Sequence, residues 1–308
     1  MTSALHVLKP GMLTTVQDLG RWGRQGSGVP VAGPMDAYSH RLANRLAGNP
    51  DGAAALEVTI TGPELQARGD TLCAVAGAGF SVEVDGIRVD TGACFEVLDA
   101  QTVRFGERHH GARATLAVRG GIDVPATLGS RSTSVVARMG PFGGRALLKG
   151  DVLPVGAQAG AHHRPGAPLQ LPTGGGRVRV LLGPHDRLFT PGAVGALLAG
   201  RFIVTLQSNR MGYRLSGAAL PAPEGGEMLS AGTPFGSLQV PASGQPILLM
   251  ADRQTTGGYP RIATVILADL PLAGQLAPGD WIEFAACTHG EAVDALKRRE
   301  AALGGAAE

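Results

Sequence analysis

Glycine and proline interrupt this sequence throughout its length, and this feature constrains the fold more than any other. The 308 residues include 47 glycines and 21 prolines, and short runs of Val, Leu, Ile and Thr stand between them. Such runs are too short for most helices, and their spacing is typical of strands in a sandwich or a barrel. The sequence therefore predicts an all-β protein with few, short helices.

The clearest local signal is a β-hairpin in the stretch FSVEVDGIRVDTG. Apolar and polar residues alternate on both sides of Asp85-Gly86. An Asp-Gly pair favours the tight two-residue turn whose backbone twist matches that of paired strands. We therefore predict two antiparallel strands that meet at this turn.

Two segments have the pattern of a helix. Asp36 is placed to cap a helix over residues 36–47, and Gly48 is placed to end it. The C-terminal stretch GEAVDALKRREAALGG has apolar residues on one face. We expect this tail to be helical and to pack weakly or fray.

The organisation of the chain indicates two domains. Residues 156–176 are rich in Gly, Pro and Ala and separate two β-rich halves. Each half closes with a Gly-Asp turn that enters an apolar strand, at Asp151 and at Asp280, which hints at a duplication. We predict one β-barrel domain over residues 1–165, which includes the first helix, and a second over residues 166–308, which includes the helical tail.

Charge and cysteine content exclude several classes of protein. The formal net charge is +2 and the basic residues are scattered, which is no electrostatic footprint for nucleic acid. The three cysteines are far apart in apolar surroundings, which argues against a disulfide framework or a zinc site and favours a reducing compartment. The N-terminal stretch MTSALHVLKPGML lacks the pattern of a signal peptide, and no apolar run approaches the roughly 20 residues of a membrane span. We expect a cytoplasmic protein.

Common catalytic motifs are absent from the sequence. There is no G-x-x-x-x-G-K-[ST] phosphate loop and no G-x-S-x-G nucleophile elbow. We interpret the serines of LGSRSTSVV as turn residues. The pairs His109-His110 and His162-His163 are interpreted as exposed residues and not as metal ligands, because adjacent side chains on a strand point to opposite faces. We expect this chain alone to bind no metal and no cofactor.

Polar residues cluster in five stretches that packing does not explain. The most unusual is MADRQTTGGYPRIA, residues 250–263, which stands between two apolar runs that we predict to be buried strands. The others are TTVQDLGRWG, GVPVAGPMDAYSHRLANRL, SNRMGYRLSG and GSLQVPASGQPI. Each stretch alone fits a structural role, such as a turn salt bridge between Asp18 and Arg21.

Together these stretches resemble the biotin-dependent carboxyltransferase family, also called the allophanate hydrolase subunit 2 family. The resemblance is carried by GMLTTVQDLGRWGRQGSGVPVAGPMDAYSHRLANRL, GGIDVPATLGSRST, SNRMGYRLSG and GSLQVPASGQPILLMADRQTTGGYPRIATVILADL, and it covers nearly the whole chain. It implies a pair of cyclophilin-like β-barrels.

The resemblance also implies an activity. The family includes subunits of ATP-dependent 5-oxoprolinases, hydrolases that open the cyclic amide of 5-oxo-L-proline to give L-glutamate. By this resemblance the chain would act only in a complex with partner subunits A and B, and the second of these, a barrel-type protein, would be its closest partner. The complex would use ATP, bound mainly on another subunit because this chain lacks a recognisable phosphate loop.

A small anionic amide needs a guanidinium for its carboxylate, polar groups for its ring N–H and carbonyl, and room for close backbone approach. We expect Arg210 to bind the carboxylate, residues 255–258 to bind substrate oxygens, and Tyr259 to act as a lid or proton donor. Asp252 and Arg261 would hold the two ends of the loop. The predicted catalytic residues are Asp18, Asp252 and Tyr259. The predicted substrate-binding residues are Gln17, Arg21, Asp36, Asn44, Arg210, Gln239, Gln254, Thr255, Thr256, Gly257, Gly258 and Arg261.

Three alternatives stay open at this point. Urea carboxylases contain a similar portion, so the site would accept another amide-like carbonyl, although no lysine here has the Met-Lys-Met setting of a biotin carrier. A relative in sporulation control acts by binding a partner inhibitor of a histidine kinase, so this chain would be a non-catalytic regulator. The TTGG stretch also fits a tight hairpin whose threonines satisfy their own backbone.

Overall fold

The computed structural model describes residues 3–157, 166–221 and 228–304. Two compact units divide the chain. The first unit comprises Met1–Arg21, Ala32–Leu171 and Glu300–Glu308, and the second comprises Trp22–Val31 and Pro172–Arg299. Strands dominate both units, which confirms the all-β prediction.

The first unit is built on one antiparallel sheet that curls into a half-barrel. The strands follow the order β2-β3-β8-β4-β1-β9, and β5 pairs with β6, β7 and β8. The elements are β1 (Ala4–Lys9), β2 (Leu13–Gln17), α1 (Ala37–Ala47), β3 (Ala55–Thr59), β4 (Glu64–Arg68), β5 (Thr71–Val84), β6 (Ile87–Arg88), β7 (Cys94–Val97), β8 (Thr102–Val118), α2 (Pro141–Gly144) and β9 (Val152–Pro154).

The long strands β5 and β8 form the centre of this sheet. They pair from Cys73↔Val118 to Val84↔Val103, with register shifts between Gly77 and Val82 that let the sheet bend. Their inward side chains join those of β1, β3 and β4 in one apolar core, whose members include Leu5, Leu56, Leu65, Val82 and Leu116, all fully buried. Burial of this core is the main driving force for folding of the unit.

The predicted hairpin and first helix are both confirmed. Asp85 and Gly86 have φ values of 47° and 83° and connect β5 to β6. Asp36 caps α1 by accepting a hydrogen bond from the Ser39 backbone N–H, and Gly48 ends the helix at φ 78°. The helix packs Tyr38, Leu42, Ala43 and Ala47 onto small residues of β5 and β8.

The C-terminal tail is helical as predicted, but the expectation that it packs weakly is wrong. The Arg41 guanidinium forms two hydrogen bonds of 2.7 Å with the Glu300 carboxylate. Arg45 donates to the Leu303 carbonyl at 2.8 Å, and the Leu303 side chain is fully buried beside Tyr38 and Leu42. The sequence pattern showed the apolar stripe of the tail, but it did not show the two arginines of α1 that hold its end.

The second unit is a closed seven-stranded barrel with the order β10-β17-β14-β15-β12-β11-β18. The parallel pairing of β18 with β10, from Gly175↔Trp281 to Val180↔Ala286, closes it. The elements are β10 (Gly175–Leu182), α3 (Pro191–Ala199), β11 (Arg201–Val204), β12 (Gly212–Ser216), β13 (Ala231–Gly232), β14 (Ser237–Gln239), β15 (Ile247–Leu249), β16 (Thr256–Gly257), β17 (Arg261–Val265), α4 (Leu270–Gly274), β18 (Trp281–Ala286) and α5 (His289–Ala302).

The barrel positions the stretch at residues 250–263. Strand β15 leads into this stretch and β17 leaves it, and both contribute buried apolar residues, as predicted. Between them, β16 pairs with β13 as a separate two-stranded sheet through Ala231↔Gly257 and Gly232↔Thr256. The loop therefore has a fixed backbone, held by strand pairing in its middle and by the barrel wall at its ends.

Among the helices of the described ranges, none combines the length and the hydropathy that crossing a lipid bilayer requires.

Candidate functional site

The loop at residues 250–261 starts with a buried ion pair. Nε of Arg210 lies 3.1 Å from Oδ2 of Asp252, and its Nη2 lies 3.2 Å from Oδ1. Both side chains are almost completely buried, and the Asp252 backbone N–H also donates to the Arg210 carbonyl at 2.8 Å. Asp252 thus holds the first end of the loop, as predicted. Its expected catalytic role, and that of Arg210 as a carboxylate anchor, stay predictions.

Two glutamines meet in the barrel next to this loop. Nε2 of Gln254 donates to Oε1 of Gln239 at 3.1 Å. Gln239 is almost fully buried on β14, and its Nε2 has no hydrogen-bond partner among the described residues. A buried donor without an acceptor destabilises the protein, so its presence indicates a group that is paired only when a ligand is bound.

Gly257 makes room for these amides. A β-carbon at this position would lie 2.5 Å from Nε2 of Gln239 and 3.3 Å from Nε2 of Gln254. The glycine is therefore required by close approach and not by an unusual φ. This explains one of the two consecutive glycines that the sequence singled out.

The glutamines face a pocket of about 220 Å³, which we call the amide pocket. This volume suits a small molecule, since one water takes up about 30 Å³ of liquid. Tyr259 lines the pocket and is 41% exposed, so its hydroxyl is accessible to a ligand. The full lining is Gln207, Asn209, Met211, Gly212, Arg214, Gln239, Ile247, Leu249, Gln254 and Tyr259.

A second pocket of about 360 Å³ shares Gln254 with the first, and we call it the arginine pocket. Its lining is Trp22, Gln25, Val31, Gly232, Thr233, Pro234, Arg253, Gln254 and Thr255. None of these residues is acidic. Sequence analysis predicted Gln254 and Thr255 as site residues and missed Arg253.

Arg253 is the charged group of this pocket. Its side chain is only 7% exposed, its Nε donates to the Thr233 carbonyl at 2.8 Å, and its guanidinium lies over the Phe235 ring at 5.4 Å from the centroid. Burial lowers the pKa of Arg253 to about 10, so the group still carries its charge at neutral pH. Within the described ranges it forms no ion pair. The alternation of side chains along an extended segment is the signal that would have placed it opposite Asp252 and Gln254.

The remaining loop residues are held by their backbones. The Thr255 carbonyl accepts from the Thr233 N–H at 3.0 Å, and the Gly258 carbonyl accepts from the Met228 N–H at 2.8 Å. Arg261 holds the second end, as predicted: its N–H donates to Nδ1 of His185 at 3.1 Å and its Nη1 donates to the Gly232 carbonyl at 2.8 Å. Ligand binding by Thr255, Thr256, Gly258 and Arg261 stays a prediction.

In the first unit, Asp18 lies at the centre of a hydrogen-bonded turn. Its carboxylate accepts from both the Ser130 and Ser132 hydroxyls at 2.6 Å, and from the backbone N–H groups of Gly20 and Arg131. Burial raises the pKa of Asp18, but these hydrogen bonds outweigh it and hold the pKa below the ordinary value. The serines of LGSRSTSVV are thus turn residues, and their hydroxyls hold Asp18 in its ionised form.

Gln17 and Arg21 bind the same turn. Nε2 of Gln17 donates to the Thr133 carbonyl at 3.0 Å, while its Oε1 is buried without a hydrogen-bond partner in the described part of the chain. Arg21 is almost fully buried and donates to the carbonyls of Thr127 and Ser132. The structure therefore brings Gln17, Asp18 and Arg21 together.

Asp36 and Asn44 lie on α1 and bind its surroundings. Asp36 accepts from the N–H and the hydroxyl of Ser39. Nδ2 of Asn44 donates to the Ala53 carbonyl at 2.9 Å, and its Oδ1 accepts from Asn49 at 3.0 Å. These bonds give both residues a structural role, and ligand binding by them stays a prediction.

The residue types that bind metals do not come together in the described part of the chain. Among the residues that the structure describes, no group of three or more His, Cys, Asp or Glu side chains could hold a metal ion. His109 and His110 are neighbours on β8 that reach the surface, in agreement with the sequence interpretation. His162 and His163 lie outside the described residues.

Comparison with known proteins places these features in a family context. The family model described as a carboxyltransferase domain, subdomain A and B, matches residues 27–286. The C subunit of the 5-oxoprolinase of Escherichia coli is 40% identical over 296 residues, which are 96% of this chain and 95% of that protein. The urea amidolyase of Saccharomyces cerevisiae is 35% identical over 306 residues, which cover 92% of this chain and 16% of that protein.

A solved structure agrees with this pattern. The crystal structure of the K. lactis urea amidolyase superposes with a TM-score of 0.92 at 32% identity, over 97% of this chain and 20% of that chain. This chain therefore spans nearly all of the bacterial protein and only a small part of the yeast proteins.

Proposed function

This chain belongs to the carboxyltransferase domain family, subdomains A and B, and on that premise we propose that it is the C subunit of an ATP-dependent 5-oxoprolinase. The reaction opens the cyclic amide of 5-oxo-L-proline to give L-glutamate. The near full-length similarity to the Escherichia coli protein supports this assignment over others in the family.

The observation that carries the proposal is the pair of linked amides in the amide pocket. Nε2 of Gln239 is a buried donor without an acceptor among the described residues, and Gln254 is joined to Gln239 by one hydrogen bond that leaves its own Oε1 available. A five-membered lactam has its N–H and its carbonyl on the same side of the ring. It therefore needs one donor and one acceptor side by side, and these two glutamines supply them.

The remaining groups of the pocket fit a ring-opening reaction. Nε2 of Gln239 donates to the lactam oxygen, which withdraws electron density from the carbonyl carbon. The Tyr259 hydroxyl is placed at the rim, where it covers the ring or transfers a proton to the leaving nitrogen. Leu249 and Ile247 contact the ring methylenes and exclude water from that side.

A lactam is a poor electrophile at neutral pH, so ring opening requires the energy of ATP. We place the ATP site mainly on partner subunits A and B, with the barrel-type partner, the second of these, next to this chain. In this arrangement the chain contributes lactam binding, and turnover depends on the assembled complex, which acts in the cytoplasm.

Reconstitution tests this function. ATP hydrolysis dependent on 5-oxo-L-proline, coupled to formation of L-glutamate, should appear when the chain is mixed with its partner subunits and should be absent from the chain alone. Exchange of Gln239 for Met keeps the length of the side chain and removes the donor. It should lower kcat/KM by roughly tenfold to a hundredfold, the effect of losing one hydrogen bond that leaves its partner unpaired.

Gln170→Met is the matched control, because Gln170 is exposed and lies outside both pockets. Its kinetics should equal those of the wild type. A complex that hydrolyses ATP with no requirement for 5-oxo-L-proline would refute the proposed function.

The urea amidolyase similarity supports a second candidate, the carboxyltransferase step of a urea carboxylase. Urea also presents a carbonyl oxygen and N–H groups on one side, so the same two glutamines fit it. Transfer of a carboxyl group from carboxybiotin to urea by the complex, without turnover of 5-oxo-L-proline, would favour this candidate. A complex that turns over neither substrate would favour the regulatory alternative.

A further inference from the structure

The arginine pocket contains a charge that the described residues do not neutralise. Arg253 is 7% exposed, and its Nε–H is satisfied by the Thr233 carbonyl at 2.8 Å. A guanidinium carries five N–H donors, and the only other contact of Arg253 among the described residues is with the Phe235 ring. Within the same ranges, the four N–H groups on its terminal nitrogens therefore have no protein acceptor, although the group lines a pocket of about 360 Å³.

The neighbouring arginine of the barrel is in the opposite situation. Arg210 is paired with Asp252 through two parallel hydrogen bonds, and both side chains are buried. A ligand carboxylate at Arg210 would have to compete with a carboxylate that is already in place and fixed by the backbone. Arg253 has no such competitor in the described part of the chain, so it is the better partner for an incoming anion.

We propose that Arg253 binds the carboxylate of a small organic acid in the arginine pocket. A buried, unpaired charge destabilises the protein, and an anion that forms charge-assisted hydrogen bonds with it relieves this cost. The planar fork of the guanidinium matches the two oxygens of a carboxylate. This inference rests on the proposed function only for the identity of the acid, which is then 5-oxo-L-proline.

The lining of the pocket favours a carboxylate over a phosphate. Arg253 is the one charged residue among those that line it, which suits a singly charged anion and gives poor compensation to a phosphate dianion. Trp22 and Pro234 add apolar surface for a ring, and Thr255 and Gln25 add neutral polar groups. An organic monoanion with a small apolar body fits these contacts.

Trp22 provides a direct probe of this pocket. The chain has two tryptophans, so Trp281→Phe leaves Trp22 as the sole tryptophan emitter. In that background, 5-oxo-L-proline should change the Trp22 emission in a saturable way. Arg253→Gln should weaken this binding at least tenfold, and Arg253→Lys, which keeps the charge without the fork, should weaken it less.

Three comparisons complete the test. The ligand 2-pyrrolidinone has the same ring without the carboxylate, and its weaker binding should not depend on Arg253. Inorganic phosphate should bind more weakly than 5-oxo-L-proline. Arg187→Gln removes the same charge from an exposed residue outside the pocket and should bind like the wild type.

Equal affinity of wild type and Arg253→Gln for 5-oxo-L-proline would overturn the inference. So would tighter binding of phosphate, or the absence of a saturable response to every probe in both the isolated chain and the complex. If the Gln variant does not fold, the Lys variant decides by the same criterion, because it retains the charge and the length of the side chain.

The two proposals fail in different ways. A complex without 5-oxo-L-proline-dependent ATP hydrolysis, in which the chain still shows Arg253-dependent binding of organic acids, refutes the function and leaves this inference intact. A fully active complex whose KM for 5-oxo-L-proline is unchanged by Arg253→Gln refutes this inference and leaves the function intact.

Discussion

Arg210 and Asp252 form two parallel hydrogen bonds of 3.1 and 3.2 Å inside the barrel of the second unit, where both side chains are almost completely buried. Arg253, the next residue along the chain, is also buried but has no such partner among the described residues. Two adjacent residues therefore supply a carboxylate that compensates one arginine and a second arginine that is left for a ligand.

The first prediction concerns the buried pair. Asp252→Asn removes the negative charge and leaves Arg210 buried without its carboxylate, which should lower the free energy of unfolding by about 3 to 5 kcal/mol. The double variant Arg210→Met with Asp252→Leu replaces the pair by apolar groups and should recover most of this loss. Urea unfolding of the single and double variants measures both effects.

The same series tests the expected ligand role of Arg210. Arg210→Lys keeps the charge but cannot reproduce the two parallel bonds. We expect it to lose stability, with activity per folded molecule retained in the complex. A loss of activity at unchanged unfolding free energy would instead assign Arg210 to the substrate.

The second prediction concerns Gly257. Gly257→Ala places a methyl group 2.5 Å from Nε2 of Gln239, so the linked amides must move. Activity of the reconstituted complex should fall at least tenfold, because misplacement of a binding group by a fraction of an ångström is costly. Stability should change by about 1 kcal/mol or less, since side-chain amides can shift more easily than backbone.

Gly195→Ala serves as the control for that variant. Gly195 lies inside α3, and a β-carbon there meets nothing within 4 Å. This exchange should leave activity unchanged and raise stability slightly, because alanine is the better helix former. Equal activity of the Gly257→Ala complex and the wild type would remove the linked amides from the mechanism.

Local patterns in the sequence predicted much of the fold. Asp85-Gly86 determines its own hairpin, because the two residues accept the positive φ values that the turn requires. Asp36 and Gly48 likewise determine the ends of α1 through their own backbone preferences. Such features depend on a few neighbouring residues, so a single sequence is enough to identify them.

The site could be predicted only in part, because its chemistry depends on contacts between distant residues. The sequence shows that residues 250–263 are unusual, but it does not show that Asp252 meets Arg210 or that Gln254 meets Gln239. An arginine with a buried partner and an arginine without one look alike in a sequence. For this reason sequence analysis selects Arg210 as the carboxylate ligand and misses Arg253.

The third prediction concerns the end of the C-terminal helix. Leu303 is fully buried in the cluster that α1 forms with the sheet of the first unit. Leu303→Ala should lower the free energy of unfolding by about 2 to 4 kcal/mol, through lost burial and the cavity that remains. Urea unfolding measures this, with Leu206→Ala as the control, because Leu206 is 90% exposed. Equal stability of the two variants would mean that the tail does not contribute to the core.

The fourth prediction is a pH dependence that originates at His40. This residue is fully buried on α1, with Nδ2 of Asn44 3.2 Å from its Nε2. Burial lowers the pKa of His40 to about 4, although the charges of Asp18 and Asp51 and a hydrogen bond with Ala53 act in the opposite direction. The imidazole is therefore neutral in the folded protein over most of the physiological range.

The sign of the effect follows from proton uptake. Well above pH 6.5 the residue is neutral in both the folded and the unfolded chain, so pH has no effect through it. Between pH 6.5 and about 4 the unfolded chain takes up a proton that the folded protein does not, and stability falls as the pH falls. The full loss is roughly 3 kcal/mol, since each pKa unit corresponds to about 1.4 kcal/mol.

Unfolding in urea between pH 4 and 7.5 measures this dependence. His40→Gln removes the titrating group, so its stability should vary less over the window than that of the wild type. His109→Gln, at an exposed position on β8, should keep the wild-type profile. If His40→Gln and the wild type lose the same stability between pH 6.5 and 4, another group is responsible, and His40 takes up its proton as easily in the folded protein as in the unfolded chain.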